Sequence, residues 1–95
     1  MDKYDRSIPE PGTIVKHFKR ETIRNPGTND YLYEIIGLAE HTETEENMMI
    51  YRALYGSKKL YARPLDMFMS KVDHDKYPNI QQKYRFENNE RSELY

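Results

Sequence analysis

The sequence predicts a mainly β fold: a small, strongly bent antiparallel sheet, or a partly open SH3-like barrel, with one short helical turn near residues 64–69. Three observations lead there. Apolar and aromatic residues alternate with polar ones in short runs, most clearly over 31–41 and 48–56. Turn-forming or charged stretches break those runs. The stretch with helical spacing, Leu65, Phe68 and Met69, follows a proline late in the chain. An OB-like barrel is the second architecture that fits this pattern.

Taken in order, Pro9, Pro11 and Gly12 make an opening turn before a first strand over 13–18, with Ile14 or Val15 turned inward. Residues 19–30 are charged and contain Asn25-Pro26-Gly27, which reads as a loop with one helical turn. Strand 31–41 follows. Strict alternation puts Tyr31, Tyr33, Ile35 and Gly37 on one face, and Leu32, Glu34, Ile36, Leu38 and Glu40 on the other; Gly37 marks a bend or bulge. A turn at 42–47 leads to a return strand at 48–56, where Met49, Tyr51, Ala53 and Tyr55 alternate with Met48, Ile50, Arg52 and Leu54. After a turn at 57–59 comes a short strand at 60–62, and Pro64 then suits the first position of a helical turn. A short strand near 69–72, a brief helix and a closing strand at 83–86 complete the expected set.

Ninety-five residues support a single core, expected over 11–87 between a polar N-terminal segment (1–10) and a C-terminal tail (88–95). Charged residues make up 33% against 37% hydrophobic, and the nine tyrosines let part of the core keep a wet rim. A formal net charge of −1 lacks the basic excess of a dedicated nucleic-acid binder, although a local basic patch remains open. With no cysteine there is neither a disulfide framework nor a thiolate metal site, as suits a reducing cytoplasm. No apolar run has the length of a signal core or a membrane span, so a soluble cytoplasmic protein without a membrane partner is expected. Whether it forms homo-oligomers is left open.

The three histidines, His17, His41 and His74, match no compact zinc spacing, and neither a nucleophile motif nor a glycine-rich phosphate loop occurs. No metal or cofactor is therefore expected. Arg63 is the residue least explained by folding. Pro64 holds it extended at the strand-to-helix corner, where its planar fork suits a carboxylate or phosphate. Arg52 lies mid-strand and must reach solvent or a carboxylate. Tyr51, Tyr55 and Tyr61 offer a stacking surface beside these arginines. In the turn, Thr42 and Thr44 can bond the local backbone, and Glu43 can partner His41 or an arginine.

The motifs "PGTIVKHFK", "YEIIGLAEHTETEE", "MMIYRALYG", "LYARPLDMF" and "YRFE", in that order, resemble the bacterial family called domain of unknown function 1653, over residues 12–87. The resemblance singles out His17, Phe18, Lys19, His41, Glu43, Thr44, Tyr51, Tyr55, Gly56, Arg63, Pro64, Met67, Phe68, Arg85 and Phe86. It implies a small SH3-like domain with a polar set that burial alone does not require. This chain departs from the family pattern at Ile14, at Arg20 with the loop after it, and at Tyr61-Ala62.

The leading expectation is a non-enzymatic binding module. Its groove would be lined by His17, Lys19, His41, Glu43, Thr44, Tyr51, Arg52 and Arg63, and its partner would be a small anionic or nucleotide-like ligand, a nucleic acid or a peptide. The alternatives are a small hydrolase or transferase using His41 with Glu43 as an acid/base pair, or a structural adaptor.

Overall fold

The computed structural model describes residues 3–24 and 27–89. Its strands are β1 (Ile14–His17), β2 (Leu32–Glu40), β3 (Asn47–Ala53), β4 (Leu60–Pro64) and β5 (Phe86–Asn88). They form one antiparallel, unclosed sheet in the order β4-β3-β2-β1-β5. A 3₁₀ turn (Phe18–Thr22) follows β1, and a one-turn helix, α1 (Leu65–Phe68), follows β4. Among the described residues no helix is long and apolar enough to cross a membrane.

Residues directly opposite in an antiparallel ladder share a face. The register pairs Val15 with Tyr33, Tyr33 with Ala53, Ile35 with Tyr51, Tyr51 with Tyr61, Met49 with Arg63, and His17 with Phe86. These residues therefore line one face of the sheet. Most of them, with Leu65, Phe68 and Met69, form the principal core. Burial of these apolar groups is the main driving term for the fold.

That face is concave. Tyr51 and Phe86 stand on strands three spacings apart, about 14 Å in a flat sheet. Their ring centroids are 5.3 Å apart, so the sheet curls until its edge strand faces its middle. Helix α1 closes the curl by stacking Phe68 on Phe86 at 4.2 Å and 9°. The N-terminal segment, expected to be merely polar, adds to the closure. Arg6 donates to the Phe86 carbonyl at 2.7 Å and lies 4.0 Å from the Tyr84 ring centroid, while Tyr4 and Ile8 pack on the core.

Several expectations need correction. The bulge falls at Gly37 as expected, but the register shift between Ile35 and Gly37 inverts the alternation beyond it. Leu38 thus pairs with Met49 and Glu40 with Asn47, so neither keeps the face that strict alternation assigns. Pro64 is the last residue of β4, with extended ψ of 135°, and the helix starts at Leu65. The return strand stops at Ala53 rather than continuing to 56. The segment near 69–72 contributes a single bridge, Lys71 to Tyr84, and residues 73–82 form turns without a helix. The closing strand runs from Phe86 to Asn88, later than 83–86, because it must pair with Val15–His17. Asn25 and Pro26 of the expected turn, and the tail beyond Asn89, lie outside the described residues.

Phe86→Ala is expected to lower the unfolding free energy by about 3–5 kcal/mol in urea denaturation, a large share of the roughly 5–15 kcal/mol typical of a domain. A loss below about 1 kcal/mol would show that the curl does not rest on this ring.

Candidate functional site

The site is built where β1 passes into the 3₁₀ turn. His17 caps that turn: its Nδ1 accepts the Lys19 backbone N–H at 3.0 Å. A neutral imidazole accepting at Nδ1 carries its proton on Nε2, so His17 presents a donor. The cap also puts Lys19 on the turn beside His17, two residues beyond β1. Arg63 reaches the same place from β4. It is held extended before Pro64, and its Nε donates to the Tyr51 hydroxyl at 3.1 Å.

Arg85 arrives by a longer route. The Glu21 carboxylate accepts the backbone N–H groups of Gln81 and Gln82 at 2.8 and 2.7 Å. The buried Gln82 carboxamide donates to the carbonyls of Lys16 and Tyr84 at 3.0 and 2.9 Å. These bonds lay the segment before β5 against β1 and bring Arg85 to the rim, where its Nε donates to Ser70 Oγ at 3.3 Å.

Two hollows meet at these groups. One, of about 240 Å³, is lined by Tyr31, Tyr33, Tyr51, Tyr61 and Phe86 together with His17, Lys19 and Arg63. The other, of about 310 Å³, shares His17, Lys19 and Arg63 and adds Phe18, Val72, Asp73, Lys76, Tyr77 and Arg85. The result is a two-lobed cleft, aromatic on one side and basic on the other. A larger hollow, about 490 Å³, lies by Lys3, Tyr4, Ile8, Leu65, Asp66 and the 45–47 turn. Its one lining cation is already paired: Lys3 meets Asp66 at 3.0 Å, and Tyr4 donates to the same carboxylate at 2.5 Å. The two-lobed cleft is different. Among the described residues no carboxylate lies within ion-pair distance of Lys19, Arg63, Lys76 or Arg85. The one acid in its lining, Asp73, uses Oδ1 to accept the backbone N–H groups of Asp75 and Lys76 at 3.1 and 3.2 Å.

The titration of the lining groups reflects burial first and, for His17 and Arg85, the neighbouring cations. Burial is the largest influence on His17, and the charges of Arg85, Lys19 and Arg63 add to it, pushing its pKa from 6.5 down to about 4. Burial likewise lowers Arg85 below the usual arginine range, and Arg63 lowers it further. Burial raises Tyr33, whose hydroxyl shares a 2.7 Å bond with that of Tyr55; it stays a phenol at neutral pH. Tyr31 has a φ of 66°. A bulky residue held in the left-handed region is strained, and such strain clusters at functional sites.

Of the expected site residues, His17, Lys19, Tyr51 and Arg63 come together here. Arg52 does not: it stands opposite Glu34 and Leu60 on the other face of the sheet. His41, Glu43 and Thr44 form the β2–β3 turn. There His41 Nδ1 accepts the backbone N–H groups of Glu43 and Thr44 at 3.2 and 3.3 Å, and Thr44 Oγ1 accepts that of Glu46 at 3.2 Å. Among the described residues the His41 ring makes no bond to the Glu43 carboxylate, so the expected acid/base contact is not formed. Nor do three His, Cys, Asp or Glu side chains converge there as a metal set would. Reading residues alone missed Tyr31, Lys76 and Tyr77. Arg85 and Phe86 were signalled by the "YRFE" motif.

A family model matches residues 13–88, which covers the whole sheet and every residue of the cleft. The chain belongs to the family described as "Protein of unknown function (DUF1653)". Membership accounts for the ordered motifs, and the family's description assigns no reaction to the cleft. Comparison with curated proteins and with solved structures returns no match.

The His17 environment sets a pH dependence. Below about pH 6.5 the unfolded chain binds a proton that folded His17 refuses until about pH 4. Stability is therefore at its full value above that window and falls as pH drops through it. His17→Asn keeps an N-cap acceptor and removes the titration. Thermal melts from pH 7 to 4 are expected to fall less steeply for this variant than for the parent. Parallel curves would contradict the assignment.

Proposed function

We propose that this chain is a non-enzymatic binding module whose two-lobed cleft takes a small anionic ligand. The observation that carries this reading is the convergence of Lys19, Arg63, Lys76 and Arg85 without a carboxylate partner. Like charges held together and partly dehydrated destabilise one another, and a bound anion relieves that cost. The state of His17 favours binding over catalysis. With its proton on Nε2 and a pKa near 4, it donates a hydrogen bond but is far from the neutral-pH poise of a general acid or base.

We read the curled sheet as an SH3-like barrel left open between β4 and β5; the strand order and the helical turn following β4 support that reading. On this reading the open side is where the ligand enters. The absence of cysteine supports a reducing, cytoplasmic setting.

Arg63→Gln tests the assignment. It removes one hydrogen bond to Tyr51, so its unfolding free energy is expected to stay within about 1.5 kcal/mol of the parent. Binding of phosphate or pyrophosphate, measured by calorimetry at low salt, is expected to weaken at least about tenfold, since a charge-assisted contact is lost. Unchanged anion binding, or a loss of stability well beyond that figure, would make Arg63 a structural residue.

A further inference from the structure

Resting on the anion-binding reading, we propose that the ligand is a nucleoside phosphate, its base in the aromatic lobe and its phosphate on Lys19, Arg63 and Arg85. The argument starts from the shape. The aromatic lobe, about 240 Å³, falls short of the roughly 300 Å³ at which small-molecule pockets begin; the basic lobe, about 310 Å³, barely reaches it, and the two share His17, Lys19 and Arg63. A ligand filling both must itself have two parts, one planar and apolar, the other anionic.

The aromatic lobe selects the first part. Its floor is closed: Tyr33, Tyr51 and Phe86 are buried and pack mostly edge-to-face, with Tyr33 and Tyr51 at 5.3 Å and 78°. Its wall is open, since Tyr61 is 43% exposed and lies 5.8 Å from Tyr51. A ring face left uncovered beside a closed floor suits a base sliding against it, and stacking on tyrosine does not depend on which base it is. The phenolic hydroxyls around the lobe and the His17 Nε2–H supply hydrogen bonds that a heterocycle or a ribose can use and a plain phenyl ring cannot.

The basic lobe selects the second part. Two arginines that destabilise each other gain more from a dianion than from a monoanionic carboxylate, and their planar forks match phosphate oxygens. The strained Tyr31 sits in the aromatic lobe with its ring 6.0 Å from that of His17, where base and sugar would meet. A long nucleic acid fits less well. The chain carries a net charge of −1, without the basic excess of a dedicated nucleic-acid binder, and Arg52 stands on the opposite face across from Glu34, away from the cleft.

The experiment uses the full chain and the intrinsic tyrosine fluorescence that a stacked base quenches, with calorimetry as a second readout. The probes are the four nucleoside 5′-monophosphates, adenosine, ribose 5-phosphate, inorganic phosphate, phosphotyrosine and a short oligouridylate. At least one nucleotide is expected to bind tenfold or more tightly than adenosine and than ribose 5-phosphate. Tyr61→Ala, at an exposed position, is expected to weaken the nucleotide about tenfold while leaving inorganic phosphate unchanged. Arg85→Gln is expected to weaken nucleotide and phosphate alike.

If phosphate and ribose 5-phosphate bind as well as any nucleotide, the nucleotide assignment is overturned and the anion-binding reading stands. Phosphotyrosine or the oligouridylate binding more tightly than every mononucleotide also overturns it. If no anion binds, both readings fall.

Discussion

The contact between Phe86 and the rings around it is the constraint on which the rest of the structure depends. Phe86 stands on the outermost strand, yet its ring meets His17, Tyr33, Tyr51 and Phe68 at centroid distances of 4.2–5.7 Å. The contacts with Tyr33 and Tyr51, two and three strands away, exist only if the five-stranded sheet is rolled, and once it is rolled the inward faces of β1, β3 and β4 surround a hollow. The same ring is both the keystone of the core and the floor of the cleft. Core and site are therefore one object, as expected of a domain too small to build them separately.

At the edge of that apolar floor stand cations that have no carboxylate partner among the described residues. Carrying Lys19, Arg63 and Arg85 to the edge of a buried aromatic cluster costs desolvation and mutual repulsion, and burial of His17, with these charges added, keeps that ring neutral through most of the acidic range. Compensation lies elsewhere in the molecule. The Glu21 carboxylate accepts two backbone N–H groups from a segment sixty residues away, and Gln82, itself buried, satisfies two carbonyls. The backbone of the segment that carries Arg85 is thus held by side chains outside the cleft.

Much of the sheet was legible because period-two alternation is a local signal. Met49, Tyr51 and Ala53 are inward as their spacing requires, and Gly37 marks a bulge because it tolerates a φ of 154°. The errors came where local rules meet a non-local event. Leu38 follows the alternation until the bulge inserts one residue and turns it over. Arg52, read as mid-strand, and Arg63, read at the strand-to-helix corner, were both expected in the groove. Register alone separates them, with Arg63 opposite inward-facing Met49 and Arg52 opposite Glu34. His41, Glu43 and Thr44 looked like a polar set because they are one, but their bonds are to the turn that they form.

By itself the sequence determined the first four strands in outline, the extended Arg63 before Pro64, the helical turn after it and the family. Each of these rests on residues within a few positions of one another. Only the tertiary structure decided which charges share a site. Lys19, Arg63 and Arg85 are separated by tens of residues, and what unites them is the roll of the sheet and two long-range hydrogen-bond clamps. No periodicity records those, because the distances they set run through space and not along the chain.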